Sequence, residues 1–319
     1  MKISVIGCGR WGSFIAWYLN KINHEVTLYG RENSKDFEGL FKTRKNTLLS
    51  FDEKINITSD INMTINNPDV IIISVGAQNL RGFMESIREF DLSGKTIVLC
   101  MKGIELSSGK RLTEVVKEFV GSHTGIAIWV GPGHVQDFAS GIPNCMVIDS
   151  ENPKITKFLI EQFSSELIRF YRGIDLIGNE IGAAAKNVIG IAAGMLDGIN
   201  YTSLKGALMA RGTREIARLI KAMGGNEMSA YSLCHLGDYQ ATLFSEYSHN
   251  RKFGELFIKG LPYDKLSEGV PTASALVKLA DQHNVDLPIC NAVNLIINHK
   301  ADPKKCLSEL FLRSTKKEF

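Results

Sequence analysis

The sequence lacks any apolar run near the roughly 20 residues that a helix needs to cross a bilayer. Its first residues read directly as a strand, without the charged and then apolar segments of a secretory signal. Acidic and basic residues nearly balance, at 34 and 37, and no block of lysine and arginine occurs. We therefore expect a cytoplasmic protein whose partners include neither a membrane nor a nucleic acid.

Cysteine is also scarce. The six cysteines include no pair at CxxC spacing, and none has a histidine nearby at metal-ligand spacing, so we expect no metal. Most have apolar neighbours, which is typical of small buried side chains in a reducing compartment. The apolar fraction of 44% and the charged fraction of 22% exclude disorder, collagen and coiled coil. A length of 319 residues suits one large domain or two ordinary ones.

Strand and helix patterns alternate through the first half of the chain. Apolar strand patterns lie at 3–6, 25–29, 70–75, 96–101, 125–130 and 146–149. Several lack polar alternation, as expected for strands buried on both faces of a parallel sheet. Beyond about residue 176 the patterns are helical, at 180–198, 203–223, 228–235, 252–259 and 272–284.

These patterns predict an α/β fold class. An N-terminal Rossmann doubly wound parallel sheet over residues 1–176 is followed by an all-α domain over residues 177–319. The polar stretch 313–319 is expected to fray. Apolar helical surface near 289–297 suits either core or interface, and a homodimer is an expectation.

A glycine-rich loop follows the first strand and opens the first helix. Gly7-Cys8-Gly9-Arg10-Trp11-Gly12 fits G-x-G-x-x-G, which in this context predicts a dinucleotide site rather than an ordinary strand-to-helix turn. Gly7 would allow the tight turn, Gly9 the approach of the pyrophosphate, and Gly12 close packing of the helix. The helix N-terminus would attract the phosphates, and we assign Arg10 and Trp11 to the same site.

The end of the second strand indicates which nucleotide binds. NAD sites place an acidic residue there, whereas this chain reads Tyr29-Gly30-Arg31-Glu32. Gly30 would leave room, and Arg31 would pair with a 2′-phosphate, which favours NADP. NAD stays open because Glu32 is adjacent and because Arg31 is also compatible with a solvated surface charge.

Two lysines lie where chemistry is expected. Lys102 follows a buried strand, at the edge where open α/β sheets bind ligands, and Gly131-Pro132-Gly133 ends the next strand in the same way. Lys186 sits among small and apolar neighbours. If buried there, its pKa would fall toward the working pH, as a general acid/base needs. The alternative is a lysine that snorkels out of a helix interface.

The order of these motifs resembles that of NAD(P)-dependent glycerol-3-phosphate dehydrogenase of the soluble, biosynthetic type. The resemblance runs from Gly7 to about Asn298. Its further matching stretches are Gly194-Met195-Leu196-Asp197-Gly198, Ala210-Arg211-Gly212, Leu236-Gly237-Asp238, Asn250-Arg251-Lys252-Phe253-Gly254 and Glu268-Gly269. It implies reversible reduction of dihydroxyacetone phosphate to sn-glycerol 3-phosphate with NAD(P)H, for glycerophospholipid synthesis.

The resemblance also implies a role for each matching residue. Lys186 would be the proton acceptor at the substrate C2 hydroxyl, and Lys102 a second catalytic lysine that touches substrate and cofactor. Asp238, also counted as catalytic, and Thr242 would hold the substrate hydroxyls. The substrate site would further include Gly131, Asn187, Ser248, His249 and Asn250, and the cofactor site Lys102, Val135, His249 and Glu268.

Two departures separate this chain from the pattern of the family. His249 stands where the family has the arginine that is its main phosphate ligand, and an imidazole cannot form a bidentate fork. Ser248 and Asn250 remain, and Arg251 is a possible replacement. Residues 131–137 read GPGHVQD, where the family has Gly-Pro, a small polar residue, Phe-Ala, a basic residue and Glu. His134 and His249 would then offer pH-sensitive phosphate contacts.

The departures leave alternatives open. They suit a divergent subfamily, or a related NADP-dependent dehydrogenase acting on another small ketone or hydroxy acid. A non-catalytic NADP(H)-binding module is a third possibility. Retention of Lys102, Lys186 and Asp238 together argues against that module, because a sensor needs no buried lysine beside a second lysine.

Overall fold

The computed structural model describes residues 1–314, so most of the stretch expected to fray lies outside the described residues. The chain divides into two compact units. One comprises Met1–Lys102 and Lys110–Glu180, and the other comprises Gly103–Gly109 and the chain from Ile181 onward. The boundary predicted after residue 176 falls at the first residue of a long helix, Leu176–Gly198.

The first unit is built on one eight-stranded sheet. Its strands are β1 (Lys2–Ile6), β2 (Glu25–Tyr29), β3 (Asn56–Thr58), β4 (Val70–Ile73), β5 (Thr96–Leu99), β6 (Gly125–Val130), β7 (Asn144–Asp149) and β8 (Ile168–Arg172). The spatial order is β3-β2-β1-β4-β5-β6-β7-β8, which begins with the 3-2-1-4-5-6 order of a Rossmann sheet. The α/β prediction is therefore confirmed.

Seven α-helices accompany this sheet. They are α1 (Arg10–Lys21), α2 (Lys35–Thr43), α3 (Ile61–Asn66), α4 (Leu80–Ser86), α5 (Leu112–Lys117), α6 (Val135–Ala139) and α7 (Pro153–Phe163). The central strands β1, β4 and β5 are almost wholly buried, which explains their lack of polar alternation.

The expectation of a wholly parallel sheet is wrong at one pair, because β6 and β7 are antiparallel. The only helix between them, α6, has five residues and spans about 8 Å. A parallel crossover has to return the length of a six-residue strand, about 20 Å. The connection at residues 131–143 therefore turns back at one edge of the sheet.

The second unit is helical, as predicted. Its helices are α8 (Leu176–Gly198), whose first five residues belong to the first unit, α9 (Lys205–Ala222), α10 (His249–Ile258), α11 (Gly269–Gln282), α12 (Pro288–His299) and α13 (Pro303–Phe311). The helix predicted at 228–235 is wrong in part, because only a short 3-10 turn, Glu227–Tyr231, forms there. A 3-10 turn at Leu236–Asp238 and a π turn at Gln240–Phe244 follow. Within residues 1–314 no helix has the length and apolarity needed to cross a membrane.

Candidate active site

The glycine loop joins β1 to α1 through two positions that admit only glycine. Gly7 has φ +105°, and a Cβ there would lie 2.4 Å from the carbonyl oxygen of Ser74. A Cβ on Gly12 would lie 1.9 Å from the Gly7 oxygen. These two glycines therefore set the turn and the close seat of α1, as the sequence pattern predicts.

Gly9 differs from its neighbours in the loop. Beyond Gly9 itself and its chain neighbours, no heavy atom of the described chain lies within 4 Å of where its Cβ would be. Gly9 is the N-cap of α1, which has neither a side-chain cap nor an acidic residue in its first turn. Amide N–H groups at such an end suit an anion, so this loop fits a dinucleotide pyrophosphate. Arg10 is exposed, and Trp11 packs on Phe14 with ring centroids 5.2 Å apart.

The end of β2 is tighter than the sequence suggested. A Cβ on Gly30 would lie 2.6 Å from both Cys8 Sγ and the Phe37 ring, so this glycine is needed for packing rather than for space near a ligand. Arg31 and Glu32 are both exposed.

Lys102 and the loop after β6 meet at one edge of the sheet. Lys102 Nζ donates a hydrogen bond to the carbonyl oxygen of Gly131 at 2.7 Å. Gly133 has φ +137°, a conformation that favours glycine, and Val135 is a core residue with 2% exposure. Gly133 and Val135, two of the departures, thus fit the backbone conformation and the core packing of this chain, and His134 beside them is half-buried.

The second unit buries Lys186 among polar partners. Lys186 is 8% exposed, and its Nζ lies 2.9 Å from Asp238 Oδ2. The same ammonium donates to Thr242 Oγ1 at 2.7 Å. Asp238 and Thr242 are themselves 1% and 2% exposed. Lys186 therefore does not snorkel, and its charge is stabilised by a carboxylate and a hydroxyl inside the unit.

Local sequence explains this placement. Residues 182–185 of α8 are glycine and alanine, so neighbouring segments pack closely around Lys186. The opposing segment bends through the 3-10 turn that ends at Asp238 and the π turn that contains Thr242. π turns are rare and frequently occur at functional sites. Asn187 follows Lys186 and is also buried, at 5% exposure.

The residues predicted to bind the substrate phosphate lie at the start of α10, and Glu268, predicted to contact the cofactor, lies at the start of α11. Ser248 caps α10 by accepting a hydrogen bond from the Arg251 N–H at 3.3 Å. His249 Nδ1 is hydrogen-bonded to the hydroxyl of Tyr263. Asn250 Oδ1 accepts from the Gly269 N–H at 2.9 Å, and Glu268 is the residue just before α11.

Arg251 is engaged elsewhere. Its Nη1 lies 2.7 Å from Asp197 Oδ2, and its Nε donates to the Ser245 carbonyl at 3.1 Å. Lys205 Nζ also lies 2.7 Å from Asp197. Arg251 therefore belongs to an ion cluster of this unit and is poorly placed to replace an arginine at 249.

Sequence reasoning missed two residues next to Lys186 and Asp238. His235 has no solvent exposure, its Nδ1 lies 2.9 Å from the Gly182 carbonyl oxygen, and its Nε2 lies 2.7 Å from the Tyr239 hydroxyl. Burial lowers the pKa of His235 to about 4. The available signal was spacing, because 235, 238, 239 and 242 follow the i, i+3, i+4, i+7 pattern of one helical face.

All six cysteines are free thiols, and five are buried. Among residues 1–314 no group of three or more His, Cys, Asp and Glu side chains is arranged to hold a metal ion.

Comparison with known proteins covers nearly the whole chain. The family model described as NAD-dependent glycerol-3-phosphate dehydrogenase N-terminus matches residues 2–156, and the model for the C-terminus of that enzyme matches residues 175–308. The glycerol-3-phosphate dehydrogenase (NAD(P)+) of Fusobacterium nucleatum is 33% identical over 331 residues, covering 100% of this chain and 98% of its own. That of Prosthecochloris aestuarii is 34% identical over 333 residues, covering 100% of both. The crystal structure of glycerol-3-phosphate dehydrogenase from Coxiella burnetii superposes with a TM-score of 0.92 at 26% identity, covering 98% of this chain and 99% of that one.

Proposed function

Because the chain belongs to the NAD-dependent glycerol-3-phosphate dehydrogenase family, we propose that it catalyses the reversible reduction of dihydroxyacetone phosphate to sn-glycerol 3-phosphate with NAD(P)H. The observation that carries this proposal is the buried Lys186, paired with Asp238 and Thr242. Reducing a ketone places negative charge on the carbonyl oxygen, and a preorganised ammonium stabilises that charge.

In this proposal Lys186 is the general acid. Its ammonium donates a proton to the oxygen on C2 of the substrate, and in the reverse direction the neutral amine accepts that proton. Asp238 and Thr242 take two of its hydrogen bonds and so fix the direction of the group. Lys102, held by the Gly131 carbonyl, is proposed as the second lysine that touches substrate and cofactor.

The cofactor would be held by the glycine loop of the first unit. The open space at Gly9 and the uncapped start of α1 support a pyrophosphate there. When bound, the nicotinamide cofactor supplies the hydride. We propose a preference for NADPH because Arg31 is exposed at the end of β2, where it would pair with a 2′-phosphate.

The substrate phosphate is proposed to lie by Ser248, His249 and Asn250. His249 is half-buried and hydrogen-bonded to Tyr263, which fixes the orientation of its ring. An imidazole contacts a phosphate at one point, so a His249→Arg variant should lower KM for dihydroxyacetone phosphate but not for dihydroxyacetone. An unchanged ratio of the two KM values would contradict the phosphate role. His283→Gln, at an exposed histidine, is the matched control.

The deciding experiment follows nicotinamide absorbance after addition of dihydroxyacetone phosphate to protein with NADPH or NADH. We expect oxidation that falls about 10³-fold in Lys186→Met, with cofactor affinity retained. The NADPH/NADH ratio of kcat/KM, compared in Arg31→Ala, tests the nucleotide preference. Cofactor binding without oxidation would contradict the proposed substrate. A panel of ketones and hydroxy acids would then separate a related dehydrogenase from a binding module.

The setting of the enzyme is also a proposal. A cytoplasmic location agrees with six free thiols, and supply of glycerol 3-phosphate to glycerophospholipid synthesis follows from the product. Subcellular fractionation tests the first, and sedimentation of the purified chain tests the proposed homodimer.

A further inference from the structure

A buried histidine joins the two segments that carry the proton-transfer residues of the second unit. The partner of His235 Nδ1 is the carbonyl oxygen of Gly182, which can only accept a hydrogen bond. His235 Nδ1 therefore donates to it across 2.9 Å. In the neutral ring Nε2 is then an acceptor, and the Tyr239 hydroxyl donates to it across 2.7 Å. His235 has no exposure and its pKa is lowered to about 4 by burial, so the neutral ring is the form present at working pH.

Each of the two hydrogen bonds of His235 reaches a segment that carries a residue of the ion pair between Lys186 and Asp238. In the regular α-helical register the Gly182 carbonyl is also the partner of the Lys186 N–H, so His235 is attached to the turn that carries Lys186. At the other end Tyr239 directly follows Asp238, and the Asp238 N–H donates to the His235 carbonyl at 3.0 Å. His235 therefore spans the two segments whose side chains form the 2.9 Å ion pair.

The side chain of His235 packs closely against α8 at Gly182. A Cβ on Gly182 would lie 3.1 Å from the Cβ of His235, so glycine lets the histidine approach α8 closely. The groups that face the ring are Lys186 and Gly182 from α8 and Asp238 and Tyr239 from its own segment. Each polar atom of the ring is thus used.

We propose that His235 is a positioning residue for proton transfer: as a neutral link between Gly182 and Tyr239, it sets the separation of Lys186 from Asp238. The proposal rests on the proposed function and extends it to a residue that touches neither substrate nor cofactor. Because small errors in placement of a catalytic group cost up to about a hundredfold in rate, loss of the link should act on kcat rather than on KM.

The test is a double-mutant cycle on His235 and Tyr239. His235→Leu should lower kcat tenfold to a hundredfold and leave KM within about twofold. His235→Gln, which still offers an acceptor to Tyr239, should recover part of that loss. The variant with both His235→Leu and Tyr239→Phe also removes the hydroxyl that has lost its bond to His235 and keeps only its bond to Thr213, so it should regain part of the thermal stability but not kcat.

A positioning role for His235 predicts that thermal stability recovers in the double variant while kcat does not, whereas a purely structural role predicts that both recover together. If kcat recovered together with the melting temperature, or if folded His235→Leu kept wild-type kcat, the proposal would be overturned. The matched control is His24→Leu, since His24 is also buried and bonds the Gln162 carbonyl in the first unit. It should lose stability and keep kcat.

A second readout needs no substrate. We expect NMR titration of the Lys186 amine to move to lower pH in His235→Leu, by about one pH unit, because the ammonium loses part of its contact with Asp238. Failure of the wild type to oxidise NADPH would refute the proposed function alone. The NMR titration would still decide this inference, which an unchanged Lys186 midpoint would overturn.

Discussion

Glu215 should make the second unit less stable as the pH rises toward neutrality. This side chain of α9 is 1% exposed, and its carboxylate accepts hydrogen bonds from the N–H groups of Ile289 at 2.9 Å and Cys290 at 3.0 Å. Burial raises its pKa to about 7, although those two bonds and the charge of Arg218 act in the opposite direction.

The sign and size of this pH effect follow from the linkage between proton binding by Glu215 and unfolding. The pKa of Glu215 is about 7 when folded, against an ordinary value of 4.5, so the folded state binds the proton more tightly. The stability that Glu215 contributes to the folded state is fully present below pH 4.5 and is lost as the pH rises through about 7. At 1.36 kcal/mol per pH unit, that interval corresponds to about 3 kcal/mol.

The assay has to report on the second unit. Trp11, Trp17 and Trp129 all lie in the first unit, so tryptophan fluorescence would miss the effect. Hydrogen exchange of a peptide containing Ile289 and Cys290 reads the relevant amides directly. Exchange rates are corrected for their intrinsic pH dependence before conversion to an opening free energy.

The comparison is between the wild type and Glu215→Gln. Between pH 4.5 and 7.5 the opening free energy of the variant should rise by about 3 kcal/mol relative to that of the wild type, whatever its stability at pH 4.5. Glu246→Gln, at an exposed glutamate, should show no such trend. A free-energy difference between the wild type and Glu215→Gln that stays constant across this range would refute the reasoning.

Three further predictions concern groups described above. The difference in unfolding free energy between the wild type and His235→Gln should change with pH in the opposite direction. Because burial lowers the pKa of His235 to about 4, the wild type should gain about 3 kcal/mol on the variant between pH 4 and 6.5. A difference in urea unfolding that stays constant with pH would contradict this prediction. Asp197→Asn should cost about 2 kcal/mol of unfolding free energy and change KM less than twofold, whereas a large KM effect would return Arg251 to the phosphate site. Gly9→Ala should fold normally yet bind NADPH at least tenfold more weakly in a fluorescence titration, and Gly39→Ala, equally open, should bind like the wild type.

The sheet could be predicted where its strands are buried. β2 and β6 have the bounds that the apolar patterns gave, and the Rossmann order follows from alternation of strands and helices. β3 has only three residues, and β8 has the burial pattern of an edge strand, so neither produces a long apolar run. The antiparallel β7 depends on a connection whose direction no periodicity records.

The site could be predicted in part. The order of motifs singled out Lys186, Asp238 and Thr242, but residue chemistry alone could not bring positions 186 and 238 together. Their contact depends on a 3-10 turn followed by a π turn, and propensities for such short turns are weak. His235 carries no chemical signal as a single histidine, because one of its two partners is a backbone carbonyl, and only its spacing from Asp238, Tyr239 and Thr242 points to the site.

In the proposed mechanism, the pairing of Lys186 with Asp238 also bears on which direction of reaction the resting protein is prepared for. Burying an ammonium is costly unless a carboxylate accompanies it, so the fold can hold Lys186 at 8% exposure only with Asp238 beside it. That same carboxylate stabilises the charged amine, which is the form that donates a proton to a ketone. Oxidation of an alcohol needs the neutral amine instead, and therefore a proton must first leave an amine whose charged form the carboxylate stabilises. In the proposed mechanism, the carboxylate that allows the lysine to be buried in the helical unit thus also prepares it for reduction.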